Sequence, residues 1–140
     1  MATNNNINFM SSGDNKINII SYDMHKSSQG IMELKSLCNK NYQIIYLQEH
    51  WLNTDSLRHF DYFKTNYMIF DASAIDSSKG VLRGRPFGGV STLIHRSFCN
   101  IFNSVSCVSY TERYNIIFLD NLYLLMYICP AVALQLIMSC

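Results

Sequence analysis

The stretch Ile44-Ile45-Tyr46-Leu47-Gln48-Glu49-His50-Trp51-Leu52 constrains this chain more than any other. Four apolar residues in a row read as a buried strand. That strand then ends in an acid, an imidazole and an indole. An unpaired carboxylate at the end of a buried run is costly, so Glu49 needs a partner. A metal ion at the C-terminal edge of a sheet is one such partner. An ordinary strand-end carboxylate is the other reading.

The 140 residues suffice for one domain with a real core. An apolar fraction of 49% against 15% charged residues excludes a disordered chain. The net charge is +1, so any anion binding must be local. Residues 1–16 are polar and Asn-rich, with no apolar signal core, and read as a flexible leader. The five cysteines form no Cys-x-x-Cys pair and their number is odd. An intracellular, reducing compartment (cytoplasmic or nuclear) and cysteines used as small core residues are expected.

Ile17 to Tyr22 alternates and then runs apolar, which predicts a first strand. Ile31, Leu34, Leu37 and Cys38 share one face at helical spacing, predicting a helix over 29–39. The central strand 43–48 follows, and Thr54 is a candidate N-cap for a short helix through Phe60. Tyr67 to Phe70 is a short strand. Ser73 to Pro86 is a long loop carrying Lys79, Arg83 and Arg85, and long loops are commonly functional. Strands are expected at Val90–His95 and 101–108. Tyr114–Leu119 and Leu122–Ile128 form a hairpin around Asp120-Asn121, residue types that tolerate the left-handed region. The order of elements predicts a mixed sheet with a helix packed on one face. The uncharged tail 122–138 reads as a hairpin strand with an apolar end; a membrane-inserted tail is the alternative.

Three segments stand in order: Ser21-Tyr22-Asp23-Met24-His25, Leu47-Gln48-Glu49-His50-Trp51-Leu52, and Gly84-Arg85-Pro86-Phe87-Gly88-Gly89-Val90. On them the chain resembles the endonuclease/exonuclease/phosphatase superfamily, the DNase I-like fold. The resemblance is strongest to the endonuclease domain of non-long-terminal-repeat retrotransposons and covers residues 17–130. It implies an α/β fold, a partial, truncated four-layered sandwich with a mixed β-sheet and flanking helices. It also implies Mg²⁺-dependent nicking of DNA. Glu49 matches the metal-holding carboxylate, a hard oxygen ligand of the kind Mg²⁺ prefers. Asp23 stands in the catalytic motif where the family has Asn. An ionised carboxylate accepts hydrogen bonds but cannot donate one to a phosphate; the two readings are an added metal ligand or repulsion of the phosphate, and impairment is expected. Lys26 replaces a Gly of the same motif. Tyr127-Ile128-Cys129-Pro130 resembles the family's Tyr-x-Pro, one residue too long, and would carry a catalytic contact to phosphate on Tyr127.

The family's later Asp-x-Asn segment and Asp-His pair have no counterpart in the 140 residues, and residues 131–140 do not resemble it. A broken copy of a nuclease, with its activity lost, is the resulting expectation. A non-catalytic nucleic-acid- or protein-binding remnant and a membrane-associated protein are the alternatives. Lys79, Arg83 and Arg85 are either solvated loop charges or contacts to DNA phosphates. His50 and Trp51 are read as packing residues, and His25 as either part of the site or a turn cap. His59 and His95 are read as structural or exposed. Half a sandwich would leave a sheet face uncovered, so oligomerisation or aggregation is expected.

Overall fold

Alternation in the first predicted strand sends its side chains to two different cores. The computed structural model describes residues 2–8, 16–25, 27–75, 88–120, 122–127 and 134–138. In it, β2 (Lys16–Asp23) turns Ile17 and Ile19 to one face and Ile20 and Tyr22 to the other. Helix α1 (Ser27–Cys38) packs Leu34 and Leu37 onto the second face, and the Tyr22 hydroxyl ties it down by bonding Glu33. β3 (Ile44–Gln48) is buried along its whole length, as a continuous apolar run requires. Ile44 and Tyr46 face one core, and Ile45 and Leu47 the other.

A 3-10 helix (Thr54–Thr65) follows, held by Phe60 and Phe63. Its N-cap is Asn53, whose side-chain oxygen accepts from the Ser56 N–H at 2.9 Å. Thr54, the expected cap, is already helical, and Phe63 carries the helix beyond Phe60 because it too is buried. β4 (Tyr67–Ala72) and β5 (Val90–His95) complete the first sheet. With β1 (Ala2–Asn8) its order is β1-β2-β3-β5-β4. β2 and β3 are parallel, while the other pairs are antiparallel. Residues 2–8, read from sequence as part of a leader, pair with β2 along Ala2↔Tyr22 to Asn8↔Lys16.

The chain then enters a four-residue helix, α2 (Arg96–Cys99), capped by the His95 side chain. That helix and its closing turn displace the next strand. β6 is Val105–Tyr110, not 101–108, and Ile101 is exposed. β7 (Tyr114–Leu119) and β8 (Leu122–Tyr127) form the expected hairpin, with Asp120 left-handed at φ 53°. β9 (Leu134–Met138) pairs with β8, giving a four-stranded antiparallel sheet in the order β6-β7-β8-β9.

The chain is therefore mixed α/β, with one mixed sheet, one antiparallel sheet and a few helices. Ile17, Ile19, Ile44, Tyr46, Val90 and Ile94 of the first sheet meet Ile117, Leu119, Leu124 and Met126 of the second. The opposite face of the first sheet is covered by α1 and the 3-10 helix. Among the described residues no helix is long and apolar enough to cross a membrane. Cys38, Cys99 and Cys107 are free thiols, buried or half-buried, and burial raises the pKa of each, Cys38 to about 11.

Candidate functional site at the carboxyl edge of β2 and β3

Parallel pairing sets Asp23 against Gln48, so β2 and β3 end side by side. The Met24 N–H donates to the Gln48 carbonyl at 2.9 Å and continues that pairing past the strands. Beyond this point the backbone turns left-handed repeatedly. His25 has φ 45°, Glu49 φ 54° and Trp51 φ 57°; across the edge Gly88 and Gly89 lie at φ 84° and 85°. For a residue with a side chain this conformation costs roughly 1–2 kcal/mol. Such a cluster persists only where the surroundings over-determine it, and clusters of this kind favour functional sites.

Here the surroundings are a lattice of hydrogen bonds. The His50 N–H donates to the Gly89 carbonyl at 3.4 Å and the Trp51 N–H to the Gly88 carbonyl at 3.1 Å. The Gly88 N–H and the Trp51 indole N–H both donate to one Glu49 oxygen, each at 2.9 Å. The Gly89 N–H donates to the Glu112 carbonyl at 2.7 Å, which ties the turn to the second sheet's first hairpin. The Leu52 carbonyl accepts from the Ala74 N–H at 2.7 Å. The segment after β3 is thus an extra rung between residues 74–75 and 88–89.

His50 fills the centre of this rung and is fully buried. Its Nδ1 accepts from the Leu52 N–H at 3.0 Å, and its ring meets Phe60 edge-on at 5.5 Å. A Cβ on Gly89 would lie 2.3 Å from the imidazole Cε1, so only glycine fits beneath the ring. Burial lowers the His50 pKa to about 4. The nearby Val90 and Ala72 backbone and the Glu49 charge pull weakly the other way, without giving Nε2 a hydrogen bond. His50 is therefore a neutral packing residue, as the sequence suggested.

Asp23 is engaged by its own loop. One of its oxygens accepts from the His25 N–H at 3.2 Å and contacts the His25 ring Nδ1. The exposed His25 ring stacks on Trp51, centroids 6.4 Å apart and planes 29° apart. Under this edge, Gln48 donates to the Ser21 hydroxyl at 2.9 Å, both buried. Thr92 of β5 donates to the Asn115 side-chain oxygen at 2.8 Å, and the Asn115 amide donates to the Phe70 carbonyl at 3.2 Å, stitching the two sheets together. Burial lifts the Tyr46 phenol pKa in the same layer, with the Glu49 charge adding to it.

Asp23 and Glu49 thus occupy one edge. Tyr127 does not join them through any contact among the described residues. It ends β8 opposite Tyr114, on the face turned away from the core between the sheets. Lys79, Arg83 and Arg85 lie outside the described residues, as does Lys26. No three His, Cys, Asp or Glu side chains gather into a metal-holding group among the described residues. Sequence reasoning missed Asp71, whose carboxyl accepts from Ser91 at 2.9 Å and whose pKa burial pushes up to about 6. It borders an open cleft of about 670 Å³ with Thr54, Tyr110 and Glu112. It also missed Asn115; a lone amide within the apolar strand Tyr114–Leu119 was the available signal. Comparison of the chain with protein-family models, curated proteins and solved structures finds no match.

Proposed function

We propose that the chain is part of a DNase I-like phosphodiesterase domain, closest to the retrotransposon endonucleases, whose hydrolytic activity has been lost. The three ordered motifs support the descent. Two facing sheets, with helices on the outer face of one, agree with a partial sandwich of that kind. The observation that carries the loss is the state of Glu49. Its oxygen accepts from the Trp51 indole and from the Gly88 N–H, so the carboxylate has protein partners of its own. The beta edge that would deliver a metal ligand instead uses it to close the turn before β5. Asp23 is likewise committed, to His25. A metal ion at this edge would have to share both carboxylates with those protein donors, so no chemical step is routed through a metal. General acid–base groups commonly contribute about 10²–10⁴-fold to such reactions. Without the Asn at position 23 and with Glu49 engaged, little turnover is expected. Incubating the purified protein with supercoiled plasmid and Mg²⁺ tests this. The expected outcome is no nicked circle above background; nicking that Glu49→Ala abolishes would overturn the proposal.

A further inference from the structure

The same edge holds two aromatic rings fixed in place. The His25 side chain is 74% exposed, yet both its N–H and its ring Nδ1 are tied to Asp23. It is held out in a left-handed conformation that costs backbone energy. Beside it, stacked, is Trp51, whose indole N–H is bonded to Glu49. Each ring is therefore gripped at a polar edge by a carboxylate, which fixes its plane. Packing alone does not call for an exposed ring restrained in this way.

We propose that His25 and Trp51 form a stacking platform for an unpaired nucleobase of a single strand, a ligand class that rests on the nucleic-acid-processing descent argued above. Every base has a π-face, so such a platform is tolerant of sequence. Asp23 and Glu49 beside the rings repel phosphate, so the affinity of this edge for a single strand has to come from the base. A base inside a duplex is already stacked on both faces and offers no free surface.

Trp51 is the only tryptophan in the chain, so its emission reports on this site alone. The probe is a deoxyadenosine octamer, titrated without Mg²⁺, next to an abasic octamer with the same phosphates. The octamer with bases should quench Trp51 saturably and the abasic one should not. Stacking on an aromatic residue is worth enough that His25→Ala should weaken binding roughly 5- to 150-fold. His25→Phe, which restores a ring, should recover most of it, and circular dichroism of both variants checks that they fold. Equal quenching by the abasic octamer, no quenching at all, or a folded His25→Ala variant of unchanged affinity would each overturn the platform. Because cleavage is not read, the failure of this experiment is separate from the failure of the plasmid test.

Discussion

Removing the Glu49 carboxylate leaves two N–H donors, on Trp51 and Gly88, without their acceptor. A buried donor left unsatisfied costs about 1–3 kcal/mol, and partial exposure of this edge lets water recover some of it. Glu49→Ala is expected to destabilise the protein by about 1–3 kcal/mol in denaturant unfolding. Glu49→Gln, which keeps an acceptor oxygen, should cost clearly less; equal losses would mean that the hydrogen bonds are not what the carboxylate supplies. Gly89→Ala should be worse than either. It adds left-handed strain of roughly 1–2 kcal/mol to a collision of its methyl with the buried His50 ring. Two further residues set a pH response of opposite sign. His50 has its pKa lowered to about 4, so its contribution is full above about pH 6.5 and is lost as pH falls towards 4. Asp71 has its pKa raised to about 6, so its contribution is full below about pH 3.8 and is lost as pH rises through 6. Each is worth on the order of 3 kcal/mol, and between about pH 4 and 6 they offset one another. Asp71→Asn removes one side of this balance. Its melting temperature, relative to wild type, should climb with pH across that window; a constant difference would contradict the assignment.

At the scale of elements, helical spacing made α1 legible and alternation the β7–β8 hairpin, each burying the face its own pattern defines, while short apolar-rich runs marked β2, β3 and β5, which are buried on both faces. β1 was not legible. Asn is depleted in strands, and only the pairing with β2 makes residues 2–8 extended. The start of β6 was misplaced because α2, only four residues long, has too little sequence to show a period. The outer face of the second sheet is a further consequence of alternation. Tyr114–Tyr127, Ile116–Leu125 and Phe118–Tyr123 are direct cross-strand pairs on the side away from the core, the last with ring centroids 5.0 Å apart. Apolar pairs of this kind stabilise a hairpin, and a half-exposed patch of them favours association. Wild-type protein is expected to self-associate in sedimentation velocity, and the double variant Ile116→Thr with Leu125→Thr to shift towards monomer. A wild type that is monomeric at all concentrations would contradict this. By contrast Ile117→Ala, inside the core, should cost about 2–5 kcal/mol without changing association.

For the whole molecule, the motif order anticipated which strand ends meet: Asp23 and Glu49 do share one sheet edge. What the order could not show is how their carboxylates are used. That depends on residues distant in sequence, since Gly88 reaches Glu49 across 39 positions and Glu112 holds Gly89 from the second sheet. Nor could it show that Thr92 and Asn115 join the sheets, a match made only when β5 and β7 face each other. On the proposed reading Glu49 serves the turn before β5 and not a metal. A ligand that binds only the folded state raises its stability by an amount that grows with the logarithm of its concentration over Kd, so the melting temperature measured against Mg²⁺ concentration tests this. The same melting temperature is expected with and without millimolar Mg²⁺, in both wild type and Glu49→Gln. A Mg²⁺-dependent rise in the wild type that Glu49→Gln abolishes would contradict that reading.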